Sequence, residues 1–494
     1  MGNAVVGDNA YRMYIDGKWV EAASGATYEI PNPATEEIFA TAPDAGREDM
    51  QRAIRAARRS FDEGPWAQTS PRERSLLLER IADRLEARKE EFRQVLVSAH
   101  ACEYLTHTVN VDYPVDLLRN YAALALKFPF EEPLPHVISK LGPVPTLVSS
   151  MVHRQPVGVC GLIPTWNFPL FVTVQKLGPV IATGCTAVCK PSPYGPLIDL
   201  LLAEVVEECE VPPGVWNVVC GQAPELGTEL VSSPLVDKIS FTGSVATGKK
   251  VMAAAGATLK RVHLELGGKS AQIILDDWEL DSAAPVAASP TFFHAGQGCA
   301  MTTRVLIQKK RHDELVEKMV SFIENVVSVG DPADPTKMVG PVIREERRQS
   351  IERYIELGKE QGAELVIGGG RPKDLPVGYF VEPTVFAHVK NDMRIAQEEI
   401  FGPVVSVIPF EDEADAIRIA NDSSFGLSGG ILTHDAATGV AMAKKIRTGG
   451  VGIAGANNLI HAPFGGFKES GIGRESGEFG LHEFTEIQSI AWPG

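Results

Sequence analysis

A chain of 494 residues with 44% hydrophobic and 22% charged side chains has the composition of a folded protein and not of a disordered one. Its length suggests about three structural units, and a formal net charge of −16 sets like charge against nucleic acid and anionic lipid, excluding both as general partners. Seven scattered cysteines with no disulfide framework, and a longest apolar region (157–189) broken by Asn167, Gln175 and Lys176, argue for a reduced, cytoplasmic protein with no membrane span. Cys185 and Cys189 are four apart, but no second Cys or His pair completes a zinc site, so no metal is expected.

In chain order, residues 45–98 carry apolar side chains at helical spacing among charges and predict two amphipathic surface helices, the second opened by Ser70-Pro71. From about 156 the texture changes. "VGVCGLIP", "CTAVCKPS", "GVWNVVCG" and "VDKISFTGS" are β-rich runs ending in Gly, Pro or Ser, with helical stretches such as "PLIDLLLAEVVEEC" and "APELGTELVSS" between them. That alternation predicts a doubly wound parallel sheet, with "TWN" (165–167), "KPSP" (190–193) and "FTGS" (241–244) together on its carboxyl rim. A second alternation over about 270–460, with "AQIILDD", "TTRVLIQ", "ELVIGG", "VVSVIPF" and "SGGILTH", predicts a second α/β domain.

Several residues could carry chemistry. In "RVHLELGGKS" (261–270) a strand would place Val262, Leu264 and Leu266 on one face and Glu265 on the other, beside a glycine turn. From that motif alone a solvated strand glutamate is favoured slightly over a general base. "FTGSVATGKKV" (241–251) spaces Gly243 and Gly248 between a strand and a helix, where a phosphate can approach backbone N–H groups, although such a turn is more often only a turn. "PTWNFP" (164–169) is a proline-bounded loop presenting Trp166 and Asn167, whose amide can donate into an oxyanion hole. "FFHAGQGCAMTTR" (292–304) sets Cys299 in a glycine-rich, nearly charge-free setting that suits a nucleophile or a small buried hydrophobe. His294, five residues earlier, is read as structural.

The combination and order of "TWNFPL", "KPSP", "FTGSVATG", "LELGGKS", "GQGC", "EEIFGPV" (398–404), "NDSSFGLSGG" (421–430) and "PFGGFKESGIGRE" (463–475) are specific. The sequence resembles the aldehyde dehydrogenase superfamily, of the NAD(P)-dependent, non-acylating type, over essentially its whole length. The resemblance implies an α/β fold of two doubly wound, Rossmann-like domains with a small β oligomerisation arm. Residues 1–133 and 156–267 would form the cofactor-binding domain, 268–468 the catalytic domain, and 134–155 with 480–494 the arm, whose strands are 146–156 and 484–494.

Carried over by position, the resemblance makes Cys299 the nucleophile and Glu265 the general base. Asn167 and the backbone N–H of Cys299 form the oxyanion hole. Lys190 holds the cofactor ribose, Gly243 and Ser244 lie at the pyrophosphate, and Glu399 holds the nicotinamide ribose. Phe401, Trp166, Ser192, Gly221 and Leu266 complete the cofactor set. It implies oxidation of a small-molecule aldehyde with NAD, NADP also being accepted, by a homo-oligomer, tetramer or dimer. A CoA-acylating enzyme and a non-catalytic protein on the same scaffold are the alternatives; Glu265 argues against the first and the intact catalytic set against the second. The substrate channel is expected to include Phe168, Gln175 and 456–462.

Four departures from the family pattern stand out: Pro193 where glutamate is common, Thr165 where proline is common, Ala223 where a glycine often follows Gly221, and "HACEYLT" (100–106) in place of an "ETGKP"-like segment. The first and third bear on cofactor preference.

Overall fold

The alternating runs build two sheets with parallel centres. In the computed structural model, which describes residues 5–6 and 10–494, the larger sheet has eight strands. At its centre lie the parallel strands Val159–Ile163, Thr186–Cys189, Trp216–Val218, Lys238–Thr242 and Arg261–Glu265. The first of these sits between the second and the fourth. The winding therefore reverses there, and such a reversal opens a crevice at the carboxyl ends of the strands. Strands covered on both faces read as continuous apolar runs, and Thr186–Cys189 is buried along its full length. So is every residue of the neighbouring helix Pro169–Thr183.

The second sheet has seven strands in the order Glu364–Ile367, Thr384–Ala387, Val404–Phe410, Arg304–Gln308, Ala271–Ile274, Gly429–Leu432 and Gly452–Ile453. All its pairings are parallel except the first. Its two faces feed separate cores, Ile273 and Leu306 on one and Ile274, Val305 and Ile307 on the other. Two doubly wound sheets were expected, and two are present.

The reading of 45–98 as two surface helices needs correction. Three helices fill it, Arg47–Glu63, Pro71–Ala87 and Lys89–His100, and they bury Leu78, Ile81, Leu85, Phe92 and Leu96. Ser70 does cap the second: its Oγ accepts the Glu73 N–H at 3.2 Å and the Glu73 carboxylate accepts the Ser70 N–H at 2.7 Å. The break falls at Arg88 (φ −105°, ψ 5°), whose guanidinium is tied to Glu91, Glu204 and Glu208. Apolar spacing runs on through that break, so periodicity alone merges the two helices.

Two smaller sheets accompany these, one of four strands near the N-terminus and one of three antiparallel strands. In the three-stranded one, Thr146–Pro156 is the centre, with Thr485–Pro493 on one side and Glu131–Ser139 on the other. The expected strand pair is there, joined by a third strand. No helix among the described residues is long and apolar enough to cross a membrane.

Candidate active site

The crevice collects most of the singled-out residues because each follows, or ends, a central strand. Trp166 and Asn167 follow Val159–Ile163, Lys190 and Ser192 follow Thr186–Cys189, and Gly221 follows Trp216–Val218. Gly243 and Ser244 follow Lys238–Thr242, and Glu265 ends its strand. The Gly243 N–H donates to the Glu265 carbonyl at 3.0 Å and locks the last two strand ends together.

Cys299 reaches this rim from the second sheet, on a loop that needs unusual backbone. His294, Ala295 and Gly296 have φ of 49°, 48° and 71° in succession. A Cβ on Gly296 would lie 2.1 Å from the Gly402 carbonyl oxygen, and one on Gly268 would lie 2.2 Å from that of Cys299. Absence of side chains at these two positions therefore lets the 294–299 loop press against the strand end carrying Glu265 and against the 399–402 segment. The result places the Cys299 Sγ 4.0 Å from Glu265 Oε2. Asn167 is buried, and its Nδ2 donates to the Gln297 carbonyl at 2.8 Å. An amide nitrogen carries two hydrogens; the second has no acceptor among the described residues and is available to a reacting oxygen.

Glu265 is not solvated, as its motif alone suggested, but only 2% exposed. The antiparallel strand Gly471–Ile472 covers the edge of its own strand. Burial, then the nearby Glu475, pushes its carboxyl well above the usual range, with Lys176 and Arg474 acting the other way. Its Oε1 has no hydrogen-bond partner among the described residues. Burial, then Glu265 and Glu399, likewise pushes the Cys299 thiol up, since a thiolate beside a carboxylate is a like-charge pair. The other six cysteines are buried free thiols.

The remaining singled-out residues are placed as follows. Glu399 accepts the Gly268 N–H at 2.9 Å, and burial pushes its carboxyl up to about 7. Phe401, itself in left-handed backbone (φ 57°), meets Trp166 edge-to-face at 5.6 Å. Lys190 is buried, its Nζ donating to the Pro191 and Gly221 carbonyls at 3.1 and 3.3 Å, and burial lowers its pKa. Ser244 caps the helix Val245–Ala255 by accepting the Thr247 N–H at 3.3 Å. Leu266 is buried and donates its N–H to the Ser470 carbonyl. Ser192 is used within its own turn, accepting the Tyr194 N–H at 3.3 Å. Gln175 is buried and donates to Ser476 Oγ at 3.0 Å, while Phe168 stacks on Phe293 at 6.3 Å.

Sequence reasoning missed a buried network behind Glu265. Lys176 Nζ lies 2.6 Å from Glu475 Oε1 and 3.0 Å from Ser240 Oγ, and His263 Nδ1 is 3.5 Å from the same carboxylate. Lys176, the one charged residue in a largely apolar helix, with Gln175 beside it, was the visible signal; nothing local marked Glu475. Arg347, whose guanidinium lies 5.7 Å from the Phe401 ring, was also missed.

Comparison with known proteins agrees with this geometry. The family model described as "Aldehyde dehydrogenase family" matches residues 19–490. A 3-succinoylsemialdehyde-pyridine dehydrogenase from Pseudomonas sp is 40% identical over 480 residues, 97% of this chain and 97% of the relative. Betaine aldehyde dehydrogenase from Bacillus subtilis (strain 168) is 39% identical over 486 residues, covering 97% and 96%. The crystal structure of a Mycobacterium tuberculosis aldehyde dehydrogenase complexed with NAD+ superposes with a TM-score of 0.93 at 41% identity, covering 98% of this chain and 99% of that one.

Proposed function

Since this chain belongs to the aldehyde dehydrogenase family, we propose that it oxidises an aldehyde to the carboxylic acid with a nicotinamide dinucleotide, through a covalent intermediate on Cys299. The observation that carries this reading is the thiol 4.0 Å from a buried carboxylate, with the Asn167 amide beside the same loop.

The Cys299 thiol gives its proton toward Glu265 and the sulfur adds to the aldehyde carbon, forming a C–S bond and a tetrahedral alkoxide. Asn167 Nδ2–H and the Cys299 backbone N–H donate to that oxygen where its charge develops. When bound, the dinucleotide supplies the acceptor for the hydride that leaves the tetrahedral carbon. A thioester then remains on Cys299. Glu265 releases the thiol's proton to solvent and then takes a proton from water as the water's oxygen adds to the thioester carbon; the C–S bond breaks, the acid leaves, and the proton held by Glu265 returns to the Cys299 sulfur. A carboxyl pushed up by burial is a stronger base than an ordinary one, which suits this step. Hydrolysis by a placed base also favours release of the free acid over transfer to CoA.

The donor set suits a dinucleotide. The first-turn N–H groups of an eleven-residue helix behind Ser244 suit the anionic phosphates. Lys190 and Glu399 suit ribose hydroxyls, and the Trp166–Phe401 corner suits a flat ring. The NAD+ complex of the M. tuberculosis relative supports NAD; Pro193 removes the carboxylate that would repel a 2′-phosphate, so NADP is accepted as a second choice. The eight-stranded sheet serves the cofactor, residues 268–468 the catalysis, and the three-stranded sheet joins subunits. That last sheet exposes Val137, Ile138 and Ile487, and the turn joining two of its strands exposes Leu141, apolar surface that a dimer or a dimer of dimers would cover. Seven free thiols suit a reducing, cytoplasmic setting.

The test is stopped-flow detection of reduced cofactor with a panel of aldehydes and both dinucleotides. A pre-steady-state burst followed by acid formation is expected. Absence of cofactor reduction with every aldehyde would sink the reading.

A further inference from the structure

The segment 100–106, where the sequence departs from its family's pattern, packs directly behind the loop that carries Cys299. The helix Lys89–His100 ends at Ala101 in left-handed backbone (φ 54°), and Glu103 follows with no exposed surface. Its Oε1 accepts the Gly340 N–H at 2.7 Å. Its Oε2 has no hydrogen-bond partner among the described residues and faces His294 Nδ1 at 3.6 Å. His294 is equally buried. A buried carboxylate is expensive unless neighbouring groups hold it, and here one of those groups belongs to the active-site loop.

We propose that Glu103, through His294 and Gly340, is a positioning residue that holds the Cys299 loop and the Asn167 loop in register for attack on the aldehyde. Residues 100–103 touch three segments that meet at the Cys299 loop. His100 Nδ1 donates to the Trp166 carbonyl at 2.9 Å, fixing the residue before Asn167. Glu103 faces His294, where the backbone enters its left-handed run. Glu103 also holds Gly340, and the same segment returns at Ile343, whose N–H donates to Gln297 Oε1 at 2.9 Å. The Gln297 carbonyl is the one that accepts from Asn167. Consecutive left-handed residues other than glycine persist only where surrounding contacts over-determine them. The His294 side chain meets the Glu103 carboxylate and the Phe168 ring, 5.3 Å between centroids, and its carbonyl accepts the Gln297 N–H at 3.0 Å and the Gln297 Nε2–H at 3.2 Å. Loss of the carboxylate lets 294–296 relax and shifts two oxyanion donors, the Cys299 N–H and the Asn167 amide, together. The cofactor crevice at Lys190, Ser244 and Glu399 shares none of these bonds.

This rests on the oxidation proposed above, and the experiment separates the two. Burst rate, aldehyde KM, cofactor Kd and melting temperature are measured for wild type, Glu103→Ala, Glu103→Gln and Gly340→Ala. Glu103→Ala should slow the burst by about 10²-fold, the scale of a 1 Å misplacement, with KM and cofactor Kd near wild type. Glu103→Gln keeps an oxygen for the Gly340 N–H and a polar group toward His294, so its burst should stay within about threefold of wild type. Gly340→Ala keeps the carboxylate but puts a Cβ 2.9 Å from its Oε1 and 3.1 Å from the Ala101 carbonyl oxygen; it should slow the burst and decides the matter if Glu103→Ala does not fold. A lowered melting temperature with an unchanged burst rate per folded site in Glu103→Ala or Gly340→Ala would overturn the proposal. Equal loss in the Gln and Ala variants would overturn it too. Absence of a burst in wild type would instead sink the proposed oxidation itself.

Discussion

Replacing Glu265 by Gln tests the chemistry and the electrostatics of the site together. The side chain keeps its shape, but the group 4.0 Å from the thiol can no longer take a proton from water. Loss of a general base is worth roughly 10²–10⁴-fold in rate, or about 2.7–5.5 kcal/mol of barrier. Deacylation should slow by that factor, and the burst of reduced cofactor should also rise more slowly, because Glu265 takes the thiol's proton as well. Stability should move the other way. Because burial raises the folded carboxyl's pKa, the native state binds a proton more tightly than the unfolded chain. Wild-type stability therefore falls as pH rises from the unfolded value of about 4.3 toward the folded one. The Gln variant lacks that loss, so its melting temperature should exceed wild type by a margin that grows with pH across this window. Stopped-flow absorbance and calorimetry at several pH values measure both effects. Unchanged steady-state turnover would assign the base elsewhere, and a pH-independent margin would refute the argument from burial.

Cys299→Ala should abolish oxidation while the melting temperature stays within about 2 °C of wild type, because a small side chain lost at a cleft costs little. A large thermal shift would mark the thiol as structural. Pro193→Glu should raise the NAD-to-NADP ratio of kcat/KM by about one to two decades, mainly by harming NADP, as a charged hydrogen bond and a repulsion are introduced. A wild type that already rejects NADP as firmly as the variant would assign the preference to another residue. Light scattering at micromolar protein should give a dimeric or tetrameric mass, and deleting 485–494 should reduce it by removing one strand of the arm; a monomeric wild type contradicts the role given to that sheet.

Legibility in the sequence followed locality. Parallel strands such as Val159–Ile163 and Thr186–Cys189 are readable because both faces are buried, leaving short apolar runs that stop at Gly or Pro. The break at Arg88 is not, since apolar spacing continues across it and only the three glutamates gathered around the guanidinium mark the spot. Alternation in "RVHLEL" says which face Glu265 takes but not what covers it, and its cover arrives from Gly471–Ile472 and Glu475. Lys176 was visible as a charge in an apolar helix, but its partner Glu475 lies 299 positions away. Glu103 showed only as a departure from a pattern, its meaning set by Gly340 and His294 in distant loops.

The closure of the Glu265 strand by Gly471–Ile472 also sets a timetable for synthesis. Ser470 Oγ bonds the Gly267 carbonyl across 203 residues of chain, and the edge it seals stays bare until that stretch has been made. At typical rates of about 5–20 residues per second this leaves the strand waiting roughly 10–40 s. During that interval Arg261–Glu265 is an open edge able to pair with another nascent chain. Its flanks suit the delay: Arg261 begins the strand as a charged, exposed residue, and Glu265 ends it with a second charge.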